Sequence, residues 1–361
     1  MAAAAPQDTF RFGLLTDIQC ADKEDTQFEG RTRHYRQVPD KLRAAVGELL
    51  RLHADGGRVD SHARAAAGAP APAPASPGSD SDAANNAGAP APPPALAGAA
   101  AGVGVVPPGL AALLHLGDMI DGYPGDPSDT ARSLTDLNLV ISELGRAEAA
   151  GVRVVHTLGN HDLAVPRAEL AVALGLPAGR GGYHSARLAE GWRVVVLDTT
   201  EISVYGRGEG APETAEARAT LAALAAAGAP NATEWNSGAG AAQRAWLRAE
   251  LAAAAAAGER VVAAAHHPLA EGSAPAHYLA WDHAELRAAL EDTPGLVPLV
   301  LTGHFHAGGA VRSNGTSYVT LEGLVEAPPG SNAYAVVEVA PAAGTITVHG
   351  GGYATSRVLA I

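Results

Sequence analysis

Five short polar blocks, each placed directly after an apolar run, most constrain how this chain can fold. The blocks are Asp17-Ile18-Gln19, Gly117-Asp118-Met119-Ile120-Asp121-Gly122, Gly159-Asn160-His161-Asp162, His266-His267-Pro268 and Gly303-His304-Phe305-His306. A short apolar run bounded by polar or turn residues is typical of a buried strand. In α/β proteins, ligand sites lie beyond the carboxyl ends of the strands. The pattern therefore predicts a sheet whose strand ends bring these blocks to one site.

The donor atoms in these blocks are those of a metal site built from oxygen and imidazole. The candidate ligands are two carboxylates, two amide oxygens and three imidazoles, namely Asp17, Asp118, Gln19, Asn160, His266, His304 and His306. Such a set, without thiolates, suits octahedral Mn²⁺, Fe or Zn²⁺ better than a tetrahedral structural zinc. Asp118 has glycine nearby on both sides, so two cations can approach it. We interpret it as a carboxylate shared by two metal ions.

The same blocks predict a chemistry. Two neighbouring cations can bind a phosphoryl group together and present water for in-line attack on phosphorus. His161, next to Asn160, would then donate a proton to the leaving oxygen or stabilise charge in the transition state. Asp121 and Asp162 either orient a ligand or cap a loop, and the sequence leaves both interpretations open. A single histidine is more often a packed or surface residue, but five ordered blocks together favour a site.

The spread of the blocks from Asp17 to His306 favours one domain that comprises residues 1–361. Length alone allows one large domain or two ordinary ones. Residues 63–108 are dominated by Ala, Pro, Gly and Ser. Because this composition cannot bury enough apolar side chain to offset the entropy of ordering, we predict a disordered insertion there.

Charge and cysteine content restrict the partners and the location. The formal net charge of −13 argues against a surface that binds nucleic acid or an anionic membrane. No protein partner is predicted from the sequence. Cys20 is the single cysteine, which excludes an intrachain disulfide and fits a reducing compartment. It is either a small packed residue, which we favour, or a thiolate ligand. Residues 1–9 lack the features of a secretory signal, and no run of about 18 apolar residues occurs, so we expect a soluble, intracellular protein.

Hydrophobic patterning predicts alternating strands and helices as far as His306. Strands are predicted at 10–16, 110–116, 152–156, 192–198, 261–265 and 297–302, and helices at about 39–52, 128–150, a short stretch from 166, 212–227, 241–257 and 284–290. Residues 21–37 are predicted to form a polar loop. Beyond His306, short runs at 310–312, 317–321, 333–339 and 345–349 predict antiparallel strands. We expect a mixed sheet sandwich flanked by helices.

The blocks Asp-x-Gln, Gly-Asp-x-x-Asp-Gly, Gly-Asn-His-Asp, His-x-Pro and Gly-His-x-His, in this order, resemble the calcineurin-like metallophosphoesterase superfamily. The usual first block there is Asp-x-His, from which Gln19 departs. That departure, with residues 12–22, Phe28-Glu29-Gly30 and Arg33-His34-Tyr35-Arg36, resembles the manganese-dependent ADP-ribose/CDP-alcohol diphosphatase family. Further matches are Asn236-Ser237-Gly238-Ala239-Gly240, Leu279-Ala280-Trp281 and Leu321-Glu322-Gly323. The likeness spans nearly the whole chain apart from residues 63–108.

The resemblance implies a fold and a set of residue roles. The fold class would be α/β, a metallophosphoesterase-like β-sandwich of mixed sheets flanked by helices (α/β/β/α). One metal would be held by Asp17, Gln19 and His306, the other by Asn160, His266 and His304, and both would share Asp118. The catalytic residue would be His161. The nucleotide would lie near Phe28, Arg33 and Tyr35. His266 rather than His267 takes the ligand role, because it stands two residues before Pro268 as the family's histidine does.

The resemblance also implies an activity. The substrates would be nucleoside diphosphate compounds, ADP-ribose or CDP-alcohols such as CDP-choline and CDP-glycerol, cleaved to a nucleoside monophosphate and a phosphomonoester. Two divalent ions would be bound, with Mn²⁺ favoured over Mg²⁺, Fe or Zn²⁺. The alternatives are a phosphomonoesterase or cyclic-nucleotide phosphodiesterase with the same two metals, and a non-catalytic scaffold. Gln19 and the loop with Arg33 and Tyr35 argue against the former, and seven competent donors argue against the latter.

Overall fold

The computed structural model describes residues 9–56, 109–126, 128–177, 181–208 and 210–361. The predicted insertion at about 63–108 lies outside these residues. Two six-stranded sheets and one small hairpin make up the strands of the described part of the chain.

The first sheet has the spatial order β14-β13-β12-β1-β4-β5. Its strands are β1 (Phe10–Leu15), β4 (Leu110–His115), β5 (Val154–His156), β12 (Ala333–Ala340), β13 (Thr345–Gly352) and β14 (Arg357–Ala360). β1, β4 and β5 run parallel to one another, whereas β12 pairs antiparallel with β1. The carboxyl ends of the three parallel strands therefore lie at one edge of the sheet.

The second sheet has the order β10-β11-β9-β8-β7-β6. Its strands are β6 (His184–Ala189), β7 (Trp192–Val196), β8 (Arg260–Ala264), β9 (Leu299–Thr302), β10 (Gly309–Ser313) and β11 (Thr316–Thr320). β7, β8, β9 and β11 are parallel neighbours. A separate antiparallel hairpin joins β2 (Thr26–Phe28) to β3 (Arg31–Arg33).

Six α-helices accompany the sheets in the described residues: α1 (Val38–Ala54), α2 (Asp129–Ala149), α3 (Arg167–Ala173), α4 (Pro212–Ala226), α5 (Ala241–Ala257) and α6 (His283–Glu291). In α1, Leu42, Val46 and Leu49 follow helical spacing and are buried, which gives the helix one apolar face. None of the helices described combines the length and the apolar character needed to cross a bilayer.

Three buried clusters define the layers. One cluster joins side chains from both sheets, such as Phe12 and Leu14 with Val194 and Val262, and fills the space between the sheets. A second packs α1 and α2 on the outer face of the first sheet, and a third packs α5 and α6 on the second sheet. The order helix, sheet, sheet, helix confirms the predicted α/β/β/α sandwich.

The structure corrects several details of the predicted elements. Residues 21–37 contain the β2–β3 hairpin rather than only a loop, because its three-residue strands are too short and too exposed to give an apolar alternation. The edge strands β6 and β14 were also not predicted. β11 pairs parallel with β9 as well as antiparallel with β10, so the strands beyond His306 are not all antiparallel.

Candidate metal centre

All five polar blocks meet where the carboxyl ends of the strands come together. Asp17 and Asp118 follow β1 and β4, Asn160 follows β5, and the histidine blocks follow β8 and β9. The side chains of Asp17, Gln19, Asp118, His266, His304 and His306 are buried, and Asn160 is half-buried. Three strand ends come from the first sheet and two from the second, so the sandwich itself assembles the cluster.

Asp118 lies at the centre of the cluster. Its carboxylate accepts hydrogen bonds from the Gln19 amide at 3.2 Å and from the backbone N–H of His161 at 2.9 Å. Nε2 of His266 lies 3.4 Å from the same carboxylate. Asp118 therefore contacts residues from the first, third and fourth blocks at once.

Other candidate ligands lie on either side of Asp118. On one side, Nε2 of His306 is 3.2 Å from the Asp17 carboxylate. On the other, Nε2 of His266 is 3.1 Å from Oδ1 of Asn160, and the rings of His266 and His304 have centroids 5.0 Å apart. The structure thus brings all seven predicted ligands into one cluster with two groups.

The donor set fits divalent cations. Oε1 of Gln19 is buried and has no hydrogen-bond partner among the described residues, which makes it an oxygen donor available to a cation. Ligand atoms of Asp17, Asp118 and His266 lie within 4.8 Å of one another. Oxygen and imidazole ligands of this kind suit Mn²⁺, Fe or Zn²⁺.

Each candidate ligand histidine has its other ring nitrogen occupied by an acceptor. Nδ1–H of His266 donates to the Leu116 carbonyl at 2.9 Å, Nε2–H of His304 donates to Asn236 at 3.1 Å, and Nδ1–H of His306 donates to Glu326 at 2.8 Å. Such partners fix the tautomer and leave the remaining nitrogen as a metal donor. Nε2 of His266 and His306, and Nδ1 of His304, are therefore the atoms that could bind metal.

The electrostatics favour positive charge at two of the three candidate histidine ligands, whereas burial and the neighbouring His267 and His266 hold the pKa of His304 well below its ordinary value. Burial lowers the pKa of His266, but the Asp118 carboxylate outweighs it and raises that pKa to about 9. For His306, burial is likewise outweighed by Glu326 and Asp17, which raise its pKa to about 9. Oxygens that stabilise a proton at these positions would also stabilise a divalent cation.

His267 lies close to these imidazoles but has both ring nitrogens engaged. Ligand atoms of His266, His267 and His304 lie within 4.8 Å of one another. However, Nδ1 of His267 is hydrogen-bonded to the Thr199 hydroxyl at 2.9 Å, and its Nε2–H donates to the Trp235 carbonyl at 3.2 Å. His266, whose Nε2 faces the proposed ligand oxygens of Asn160 and Asp118, is thus the better placed donor of the adjacent pair.

The backbone at the centre is held in uncommon conformations. Six non-glycine residues of the described chain have positive φ, and four of them are Asp17, Gln19, Asp118 and His304. Such conformations cost free energy and cluster at functional sites. Gly159 packs so closely that a Cβ there would overlap the Asp118 carboxylate.

His161 lies beside the cluster and is half-buried. Its Nδ1 is 2.9 Å from the Asp121 carbonyl and 3.4 Å from the Asp121 carboxylate. Asp121 also forms an ion pair with Lys23. Contacts on Nδ1 orient the ring and make Nε2 the nitrogen available to exchange a proton with a bound substrate.

The three residues predicted to lie near the nucleotide occupy two different environments. The Arg33 guanidinium lies 4.8 Å above the Phe28 ring and 3.9 Å from the Asp121 carboxylate, which also contacts His161. Tyr35 is instead buried, with its hydroxyl 3.0 Å from the Thr26 hydroxyl. Phe28, in contrast, is exposed.

Sequence patterns assigned no role to Asn236, which was noted only within a matching segment, and did not identify Glu326. These residues contact the ring nitrogens of His304 and His306. The role of Asp162 was left open between a ligand-orienting group and a cap. Its carboxylate accepts the backbone N–H groups of Gly159, Asp118 and Met119 at 2.8, 3.0 and 2.7 Å. It therefore ties two of the five blocks together.

The fold and the cluster define a class of protein. Residues 101–308 match the family model described as calcineurin-like phosphoesterase, which covers more than half of the chain. The chain belongs to the calcineurin-like phosphoesterase family. The resemblance predicted from the five blocks is thereby confirmed.

Within this family, the chain is similar to relatives named manganese-dependent ADP-ribose/CDP-alcohol diphosphatase. The relative from Oryza sativa is 31% identical over 354 residues, covering 94% of this chain and 91% of that protein. The relative from Arabidopsis thaliana is 28% identical and covers 94% of each chain. Among solved structures, the crystal structure of a dimetal phosphatase from Danio rerio superimposes with a TM-score of 0.73 at 25% identity and covers 99% of each chain.

Proposed function

We propose that the protein is a manganese-dependent hydrolase of nucleoside diphosphate compounds. It cleaves the phosphoanhydride bond of ADP-ribose or of a CDP-alcohol, and the products are a nucleoside monophosphate and a phosphomonoester. The observation that carries this function is the buried Asp118 carboxylate, placed between two groups of oxygen and imidazole donors. The names of the relatives support the substrate class.

The proposed ligands form two sets that share Asp118. The first set is Asp17, Gln19 and His306, and the second is Asn160, His266 and His304. Contacts of 3.2 Å between His306 and Asp17 and of 3.1 Å between His266 and Asn160 support the two sets. When bound, the two cations would neutralise charge on the phosphoryl oxygens and make an attacking water more acidic.

The protein residues around the cations would bind and protonate the substrate. His161 would donate a proton from Nε2 to the leaving oxygen, since Nδ1 is held by Asp121. Arg33 and Phe28 would bind the nucleotide, the guanidinium pairing with phosphate and the exposed ring stacking on the base. Tyr35 would act indirectly by holding the hairpin.

We also infer that residues 1–361 form one domain interrupted by the 63–108 insertion. In support, Asp17 precedes the insertion and the other proposed ligands, except Gln19, follow it. The single cysteine is in keeping with an intracellular location.

A substrate panel tests the proposed function. Purified protein loaded with Mn²⁺ or Mg²⁺ is incubated with ADP-ribose, CDP-choline, cyclic AMP and p-nitrophenyl phosphate, and product release is measured. We expect the highest kcat/KM for ADP-ribose or CDP-choline with Mn²⁺. An Asp118→Asn variant serves as the inactive control. A preference for cyclic AMP or p-nitrophenyl phosphate would contradict the proposal.

A further inference from the structure

Glu326 links a proposed metal ligand to the β2–β3 hairpin. Oε1 of Glu326 accepts the Nδ1–H of His306 at 2.8 Å. Oε2 of the same carboxylate accepts Nε–H of Arg31, on β3, at 2.5 Å. One glutamate therefore joins the histidine block after β9 to the hairpin that carries Phe28 and Arg33.

The environment of this link favours a fixed arrangement. The Glu326 side chain is only 1% exposed and that of His306 only 3% exposed. A buried carboxylate is costly unless it is paired and hydrogen-bonded, and here a guanidinium and an imidazole satisfy one oxygen each. The guanidinium of Arg31 lies 5.6 Å from the Phe305 ring centre, which restricts its position further.

Within the proposed function, on which this inference rests, we propose that Glu326 and Arg31 are positioning residues for the cation held by Asp17, Gln19 and His306. Glu326 holds the proton of His306 on Nδ1, so that Nε2 faces Asp17 with its lone pair free. Arg31 holds the Glu326 carboxylate in place. The hairpin that would bind the nucleotide is thus coupled through Glu326 to the metal position that includes His306.

The two metal positions differ in this respect. His266 and His304 are oriented by neutral acceptors, the Leu116 carbonyl and the Asn236 amide. His306 alone among the three is oriented by a carboxylate. A charged acceptor makes the imidazole a stronger donor to metal, and loss of such a partner typically weakens metal binding about 10- to 100-fold.

The chain offers a matched control close by. Glu322 is 4% exposed and pairs with Arg357 at 3.0 Å, which is a buried glutamate–arginine pair like that of Glu326 and Arg31. Within the described part of the chain, its carboxylate contacts Arg357 and the backbone N–H of Thr355. A Glu322→Ala variant therefore loses a similar buried ion pair without removing a hydrogen-bond partner of a proposed ligand.

The experiment measures Mn²⁺ binding to metal-free protein by the electron paramagnetic resonance signal of free Mn²⁺. We expect the wild type to bind two equivalents. In Glu326→Ala, one site should weaken about 10- to 100-fold while the other changes less than about twofold. Glu326→Gln keeps a hydrogen-bond acceptor without the charge, so its affinity at the weakened site should lie between those of the wild type and Glu326→Ala. Thermal melts in EDTA identify any variant that fails to fold, and Glu322→Ala should keep both affinities.

A double-mutant cycle separates positioning from general loss of stability. Arg31→Met should weaken the same site as Glu326→Ala, and adding it to Glu326→Ala should cause little further loss, because Arg31 acts through Glu326. Unchanged affinity at both sites in folded Glu326→Ala, or equal losses in Glu322→Ala, would overturn the inference. A wild-type protein that binds fewer than two Mn²⁺ ions would instead overturn the proposed function and, with it, the role of Glu326.

Discussion

The Gln19 amide donates a hydrogen bond to the Asp118 carboxylate at 3.2 Å, and so joins the first polar block to the second. The oxygen of the same amide is buried with no hydrogen-bond partner in the described part of the chain. Both features fit a residue that holds a bridging carboxylate on one side and a cation on the other. Gln19 stands where the wider superfamily usually has histidine, so it is a natural place to test metal choice.

Two substitutions at Gln19 should change metal binding in different ways. Gln19→Ala removes one oxygen donor, and we expect Mn²⁺ binding at one site to weaken by at least about tenfold. Gln19→His should retain two metals and shift the preference from Mn²⁺ toward Zn²⁺, because imidazole suits Zn²⁺ better than an amide oxygen does. Competition titrations measure both effects. If Gln19→His left both the Mn²⁺ affinity and the Zn²⁺ affinity of the wild type unchanged, this would contradict the assignment of Gln19 as a metal ligand.

His161→Ala should separate catalysis from metal binding. We expect turnover to fall by ~10²-fold or more, the scale of general-acid loss, with metal content near that of the wild type. Steady-state kinetics and elemental analysis measure the two quantities. His283→Ala, on α6, is the control and should retain activity. Full activity in the His161 variant would show that another group protonates the leaving oxygen.

Cys20 should be unreactive in the folded protein and dispensable for metal binding. Burial, with a smaller contribution from the Asp136 charge, raises the pKa of its thiol to about 12, so the thiol stays protonated at neutral pH. A thiol reagent should therefore label Cys20 only after denaturation. Cys20→Ser should keep two bound Mn²⁺ ions, whereas loss of one ion would revive the thiolate-ligand interpretation.

Acid should remove a stabilising contribution from the buried Asp198. Burial raises the pKa of this carboxyl, but Arg167 and Thr200 outweigh it and hold the pKa below its ordinary value. The contribution is complete above the unfolded-state pKa of about 3.9 and is lost as pH falls through the lower folded-state value. Asp198→Asn should thus cost about 3 kcal/mol at pH 7, and less at pH 3. Urea unfolding at both pH values measures this, and an equal cost at each would contradict it.

Residues 58–107 should be replaceable by a short Gly/Ser linker without loss of fold or activity. The backbone N–H of Leu110 donates to Nδ1 of His53 at 3.0 Å, so the flanking segments already meet. Shortening the connection about eightfold, which is three halvings at about 0.6 kcal/mol each, should raise stability by at most about 2 kcal/mol. Loss of cooperative unfolding or of turnover would contradict the one-domain proposal.

The sequence predicted the sandwich because its buried strands are continuous apolar runs and the candidate ligands stand directly after them. It could not predict which residues support the ligands. Glu326 reaches His306 across 20 positions and Asn236 reaches His304 across 68. Asn236 stands in a segment that matches the family, but nothing in its spacing connects it to His304, and Glu326 stands in none of the quoted blocks. Such contacts arise only when the two sheets pack together.

The hairpin shows a similar limit of sequence reasoning. Its residues are polar and exposed or half-buried, so local pattern gave no strand signal. The contacts of Arg31 and Arg33 with loops after β4 and β11 are set by tertiary packing. Tyr35 was predicted beside the nucleotide with Phe28 and Arg33, and its burial with the hydroxyl on Thr26 is a feature that local pattern did not indicate.

Anomalous diffraction from a crystal soaked in Mn²⁺ tests the central claim most directly. The account predicts two manganese peaks about 3.5–4 Å apart, both in contact with the Asp118 carboxylate. Either one carboxylate oxygen binds both ions, or each of the two oxygens binds one ion. A single peak, or two peaks of which only one contacts Asp118, would contradict it.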